Sequence, residues 1–214
     1  IETFVINQIH FQSLVTTKSA RMVLAANGKN VIDFGSRRAH GTDAAIKVAR
    51  CFYLAGGLGT SNVFAGKIYD IPVLGTMAHS YIQSHDEEMD AFRAFTDLYP
   101  QTTLLVDTYD TLKGVQKVID LSHEMGDRFQ INAIRLDSGD LVQLSQKSRA
   151  MLDQAGLQQV KIFASSSLDE YRIQELLSAG APIDGFGVGT KLVVSEDVPF
   201  LDFAYKLVEY AGKP

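Results

Sequence analysis

NAIRLDSGDLVQLSQKSRAMLDQAGLQQVKIFAS, residues 132–165, decides the fold, because two short apolar runs (132–137 and 160–165) flank one helical segment (139–155) with brief connections. Both runs are almost continuously apolar rather than alternating, which is the signature of parallel strands covered by helices on both faces. The same alternation continues outward. On the C-terminal side a helix is expected over 168–179 and a strand, GFGVG, over 185–189; on the N-terminal side a helix over 110–125, the strand TLLVD over 103–107 and a helix over 86–97. Before these come a strand PVLG (72–75), helices over 42–55 and 60–68, a strand VIDF (31–34) and a long helix over 2–26 that Asn27-Gly28 would stop.

Six strands in βα alternation predict an α/β fold, an irregular or incomplete parallel β/α barrel of TIM-like type, truncated at both ends. A doubly wound open sheet is the competing architecture. The expected organisation is a helical lead-in over 1–30, a barrel core over 31–197, and over 198–214 a strand that begins a flanking domain.

Composition narrows the function classes. With 214 residues, 46% hydrophobic and 21% charged, the chain can bury a substantial core. Twenty basic against 25 acidic side chains leave a net charge of −5, so there is no broad basic surface for nucleic acid or an anionic membrane, and any anion site must be local. Cys51 is the single cysteine and sits in an apolar helical run, where it reads as a small buried hydrophobe. No long apolar span or signal-peptide pattern is present, and a reducing cytoplasm is the expected location.

In a parallel barrel the carboxyl ends of all strands open on one face, so the residues that follow each strand should meet in space. In order they are Asp33, Phe34, Gly35, Arg37 and Arg38; Thr76, His79 and Ser80; Asp107 and Thr108; Arg135, Asp137, Ser138 and Asp140; Ser165, Ser166 and Ser167; Gly187, Gly189 and Thr190. Glycine, serine and aspartate are ordinary turn residues, but arginine and histidine are not. In RLDSGDL, Arg135 and Asp137 point to the same side of a strand, a pairing suited to a phosphate and a ribose diol; an internal ion pair followed by an aspartate helix cap is the structural alternative. GFGVGT offers close backbone approach to an anion through Gly187 and Gly189, or simply a tight turn. His79 in GTMAHS can serve as nucleophile or proton carrier, Phe34 can stack on a flat ring, and Arg37 and Arg38 can pair with a carboxylate or phosphate. His40 and His85 are expected further out, and no spacing suggests a protein-built metal site.

The segments DFGSRRAHGTDAA (33–45), GTSNVFAGKIYDIPVLGTMAHS (59–80), AIRLDSGDL (133–141), IDGFGVGT (183–190) and YKLVEYAGKP (205–214), in this order, resemble the nicotinate phosphoribosyltransferases. The resemblance implies a type II phosphoribosyltransferase: an irregular α/β barrel with an additional N-terminal domain, whose active site is shared across a homodimer and completed by a partner aromatic that this chain lacks. It implies transfer of phosphoribosyl from phosphoribosyl pyrophosphate to nicotinate in NAD salvage, giving nicotinate mononucleotide and pyrophosphate. The resemblance further implies that ATP drives the reaction through a phosphohistidine and that Mg²⁺ assists.

Residue by residue, the resemblance assigns the phosphorylated position to His79, ring stacking to Phe34 and anion pairing to Arg37. Asp137 would stabilise positive charge on the ribose and Arg135 would neutralise the leaving group. Thr60, Ser61, Ser138, Ser165 and Ser166 would contact substrate, and Gly187, Gly189 and Thr190 would form the phosphate loop. Ser61 and Asn62 place no acidic side chain against a ring carboxylate, which favours nicotinate over nicotinamide. Two readings of other classes remain: a different phosphosugar barrel enzyme, such as an isomerase, and a truncated core that binds ligand without turnover. A Schiff-base aldolase is disfavoured because no lysine ends an apolar strand.

Overall fold

The computed structural model describes residues 1–214. The first helix, α1 (Glu2–Ala25), ends where Asn27 and Gly28 take left-handed backbone conformations, and β1 (Asn30–Asp33) follows. A 3-10 turn (Ser36–Arg38) leads to α2 (Thr42–Leu54), β2 (Gly59–Thr60), α3 (Val63–Tyr69), α4 (His79–Gln83) and α5 (Glu88–Leu98). Regular alternation then runs through β3 (Thr103–Leu105), α6 (Thr111–Met125), β4 (Ala133–Leu136), α7 (Leu141–Gln154), β5 (Lys161–Ala164), α8 (Glu170–Ser178), β6 (Gly185–Val188) and the short α9 (Thr190–Val193). Aspartates at 110, 140 and 169 start α6, α7 and α8 by accepting backbone N–H groups, so each of these three strand-to-helix junctions carries its own cap.

All six strands are parallel, in the order β2-β1-β6-β5-β4-β3. This is the cyclic order of a barrel cut between β2 and β3, since the first strand pairs with the last and no connection reverses direction. The doubly wound alternative is thereby excluded. The sheet curls into a half-barrel, and segments beside both edges, Val73–Thr76 and Tyr99–Thr103, line one interior cavity of about 770 Å³. Two edges remain, so the architecture is α/β and barrel-like without the closed ring of a TIM fold. One continuous core joins strand residues such as Leu105, Ile134, Ile162 and Phe186 to Val15 and Met22 of α1, and Cys51 is buried within it. Lys18 of α1, itself buried, pairs with Glu170 at 2.8 Å and Asp197 at 2.5 Å, tying α1 to the start of α8 and the turn after α9.

Two expected strands are absent. PVLG is not a strand: Val73 makes a single parallel bridge to Thr60, and the strand lies instead at Gly59–Thr60, with α3 starting at Val63 rather than 60. Pro72 has no N–H to extend the ladder, which stops after the bonds Thr60 N–H to Pro72 O and Leu74 N–H to Thr60 O, each 3.0 Å. The alternating segment near the C-terminus meets no free sheet edge either. It runs extended along α1, with Leu201 N–H donating to His10 Nε2 and Leu207 N–H to Glu2 Oε1, both at 2.8 Å, before a turn bridged by Tyr210 and Lys213.

Gly114 seats α6 directly on the backbone leaving β3, where an added Cβ would stand 2.0 Å from the Val106 carbonyl oxygen. Since backbone cannot give way as a side chain can, Gly114→Ala should cost about 1–3 kcal/mol of folding stability. Urea denaturation with an unchanged midpoint would show that α6 is not seated this way.

Candidate active site

β1 delivers Asp33 to the mouth of the half-barrel, and there the carboxylate is wholly buried. Its Oδ1 accepts the Gly35 N–H at 2.7 Å and its Oδ2 the Thr60 hydroxyl, also at 2.7 Å. Burial pushes the Asp33 carboxyl above the ordinary carboxylate value, and these two bonds partly pull it back. The Gly35 turn presses on the loop after β6: a Cβ on Gly35 would lie 2.1 Å from Val193 Cγ1 and 3.2 Å from the Gly189 carbonyl. On Gly187 a Cβ would come within 2.5 Å of the Phe34 ring, so this glycine is what lets the aromatic lie across the strand.

Register brings the next group together. Leu105 pairs with Arg135, and Arg135 with Phe163, so Asp107, Asp137 and Ser165 emerge side by side from β3, β4 and β5. Asp107 Oδ2 accepts the Asp137 N–H at 2.8 Å and the Ser138 hydroxyl at 2.6 Å. Asp137 Oδ1 accepts the Ser165 hydroxyl, and Oδ2 lies 3.4 Å from His79 Nε2. His79, the first residue of α4, has its Nδ1 3.1 Å from the Thr108 hydroxyl.

Arg135 is the partly buried cation of the group, its side chain 13% exposed. Its Nη2 donates to the Met77 carbonyl at 3.0 Å, Nη1 stands 3.7 Å from Asp137 Oδ1, and the guanidinium lies 5.9 Å from the centre of the Phe34 ring. Burial pushes the guanidinium below its ordinary value, nearby Asp137 and Asp107 oppose that shift, and Arg37 adds to it. Arg37 is exposed and has no ion-pair or hydrogen-bond partner of its own, which leaves it available to an incoming anion.

A cavity of about 370 Å³ opens among these groups. Of the residues expected from sequence, Phe34, Arg37, Ser61, Thr76, His79, Ser80, Arg135 and Asp137 line it. Gly187 lies below, on the wall of the interior cavity, and Ser138 and Ser165 stand behind as partners of Asp107 and Asp137. Gly189, Thr190 and Ser166 lie outside its lining; Ser166 sits in a tight turn with φ of 92°. Thr60 is placed differently from expectation: it is buried, and its hydroxyl is engaged by Asp33. GTMAHS also does not end a strand, because Gly75–Ala78 is a loop whose Met77 carbonyl is held by Arg135. Asp33, Asp107 and Thr108 were expected at the mouth as strand-end residues but without a role, and the structure gives each one: Asp33 joins Gly35 to Thr60, Asp107 holds Asp137 and Ser138, and Thr108 meets His79. No group of three or more His, Cys, Asp or Glu side chains is arranged to hold a metal ion.

Comparison with known proteins bears on this arrangement. Residues 30–210 match the model of the nicotinate phosphoribosyltransferase (NAPRTase) family. A nicotinate phosphoribosyltransferase of Mycobacterium tuberculosis is 64% identical over 212 residues, covering 99% of this chain and 46% of that protein. The Bacillus subtilis enzyme of the same name is 46% identical over 209 residues, covering 97% and 43%. The chain thus spans about half the length of the curated relatives it matches. Among solved structures, a nicotinate-nucleotide pyrophosphorylase from Pyrococcus furiosus superposes with a TM-score of 0.84 at 28% identity, over 100% of this chain and 54% of that one. Human nicotinic acid phosphoribosyltransferase superposes with a TM-score of 0.77 at 27% identity, over 87% and 49%.

The raised value of Asp33 has a measurable consequence. Between the ordinary carboxylate value of 3.8 and the higher folded one, the folded protein binds this proton more tightly than the unfolded chain, so the stability Asp33 contributes falls as pH rises through that interval. Asp33→Asn removes this component. Urea unfolding across acid to neutral pH should show the stability of wild type relative to the variant declining as pH rises; a constant difference would contradict the assigned environment.

Proposed function

Since the chain belongs to the nicotinate phosphoribosyltransferase family, we propose that this cavity binds nicotinate and phosphoribosyl pyrophosphate and joins them, releasing pyrophosphate, in salvage synthesis of NAD. The observation that carries the proposal is the convergence of Phe34, Arg37, His79, Arg135 and Asp137 on one cavity. An aromatic face and a partnerless cation suit a pyridine carboxylate. A carboxylate beside a partly buried arginine suits a ribose that bears pyrophosphate.

In the transfer, the pyridine nitrogen lone pair forms a bond to the anomeric carbon while the bond to the pyrophosphate oxygen breaks, and the pyrophosphate leaves with that electron pair. Positive charge grows on the ribose, and Asp137 supplies the nearby negative charge. Arg135, held by the Met77 carbonyl and the Phe34 face, needs little reorganisation to meet the leaving group. Arg37 pairs with the ring carboxylate, and Ser61 at the cavity wall offers it no repulsion, so nicotinate is preferred to nicotinamide.

His79 is the proposed acceptor of a phosphoryl group from ATP. Thr108 lies 3.1 Å from its Nδ1 and Asp137 Oδ2 3.4 Å from its Nε2, so the two neighbours orient the imidazole at the cavity wall. The donor set, two neighbouring aspartates and no third ligand, fits a Mg²⁺ that would arrive on substrate phosphates and be held from the protein by Asp137; bound, it would supply positive charge at the leaving group.

A homodimer with a shared site is part of the proposal. It is supported by exposed apolar side chains on and beside α3, among them Val63 at 69% and Phe64 at 58% exposure, in the segment that continues from Ser61. A Schiff-base aldolase finds no support, because Lys161, the lysine lining the interior cavity, begins β5 at the end away from the mouth.

Mononucleotide formation from nicotinate and phosphoribosyl pyrophosphate, assayed with and without ATP, tests the assignment. His79→Ala should abolish the ATP stimulation and leave ATP-independent turnover, whereas Asp137→Ala should lower kcat about 10²–10³-fold. ATP-stimulated turnover that survives in His79→Ala would overturn the role given to the histidine.

A further inference from the structure

We infer that Thr60 and Asp33 form a buried positioning relay that holds the two walls of the nicotinate pocket in register, and that Thr60 acts through this relay rather than by touching substrate. The inference rests on the function proposed above and adds residues that do not line the cavity.

Both side chains are fully buried, and every polar bond they make points to a loop of the site. The Asn62 N–H donates to Thr60 Oγ1 at 3.1 Å, the Thr60 hydroxyl donates to Asp33 Oδ2 at 2.7 Å, and the Gly35 N–H donates to Asp33 Oδ1 at 2.7 Å. One loop runs from Gly35 and holds Phe34 and Arg37 on either side; the other holds Ser61, between Thr60 and Asn62. The backbone adds a parallel tie, as Ser61 N–H donates to the Asp33 carbonyl at 2.8 Å. Asn62 also caps α3 by accepting the Ala65 N–H at 2.9 Å, so the relay reaches the helix beyond the second loop.

The direction of the relay is fixed. A carboxylate only accepts, so the Thr60 hydroxyl must give its proton to Asp33 and present its lone pairs to Asn62. The two walls are therefore locked by bonds that a hydrophobic isostere cannot make. β2 is two residues long and has a single bridge on its outer side, so sheet pairing alone supplies little hold on the Ser61 wall. The other half of the site, Asp107, Asp137 and Ser165, is built on β3, β4 and β5 and shares no hydrogen bond with the relay. Loss of the relay should therefore separate the two substrates.

Steady-state kinetics on wild type, Thr60→Val and Thr60→Ser test this. Thr60→Val keeps the shape and removes the hydroxyl, and should raise KM for nicotinate about tenfold, the worth of an unmade buried hydrogen bond, while kcat and KM for phosphoribosyl pyrophosphate stay within about twofold. Thr60→Ser should restore the nicotinate KM. If Thr60→Val only lowers the active fraction or the melting temperature, or shifts both KM values equally, the relay is merely structural and the inference fails. Should Thr60→Val not fold, Asp33→Asn, which turns one acceptor into a donor, must raise the nicotinate KM selectively or the inference falls. Amide hydrogen exchange on the 214-residue chain needs no turnover: Thr60→Val should speed exchange at Asn62 and Gly35 and not at Ile134, and wild-type rates at both would overturn the relay. A wild-type protein that makes no mononucleotide, yet shows the predicted exchange, would remove the nicotinate reading while the relay itself stood.

Discussion

The parallel register of β3, β4 and β5 is the constraint on which the site depends. Backbone pairing of Leu105 with Arg135 and of Leu136 with Ala164 leaves no freedom in where Asp107, Asp137 and Ser165 emerge. A slip of one residue would turn Arg135 from the barrel interior into the helical layer, because side chains alternate along a strand. At the strand ends, side chains take over from the ladder, with Asp107 accepting the Asp137 N–H that would otherwise face the mouth unpaired. The carboxylate proposed to face the ribose is thus positioned by its neighbour's carboxylate as much as by its own strand.

Arg135 links this rigid half of the site to the half that lacks a sheet. Gly75–Ala78 carries no ladder beyond the bridge at Val73, yet it must deliver His79 within reach of Asp137. The bond from Arg135 to the Met77 carbonyl, made inside a largely buried environment, fixes that segment. The cost of burying the guanidinium is offset by Asp137 and Asp107, by the carbonyl and by the Phe34 ring. A single arginine therefore serves cation chemistry, loop placement and aromatic packing, which is why its replacement by lysine would not be conservative.

Much of this was legible in the sequence. From residue 103 onward the apolar runs and their aspartate-capped helices are long enough for periodicity to separate strand from helix, and the residues after each run include seven that line one cavity, Phe34, Arg37, Thr76, His79, Ser80, Arg135 and Asp137. The first third was harder. A two-residue strand such as Gly59–Thr60 has no periodicity to read, and the apolar run PVLG was a better strand candidate than the one used; only Pro72 hinted otherwise. Alternation in the final segment reports a two-faced extended chain, which here lies on α1 because no sheet edge is offered. The roles of Thr60 and Asp107 were hidden for a different reason. Each is defined by a partner in another strand, and residue type alone does not say whether a hydroxyl or carboxylate faces ligand or neighbour. The named reaction came from the joint order of the motifs, and membership of the family now rests on residues 30–210.

The central claim is that the pyridine and phosphoribose meet on this one cavity, and a crystal structure of the chain with nicotinate mononucleotide addresses it most directly. The account predicts the ring against Phe34 with its carboxylate at Arg37, the ribose beside Asp137, and the phosphate towards Arg135. A nucleotide seated instead at the far end of the interior cavity near Lys161, with Arg37 and Asp137 untouched, would contradict it.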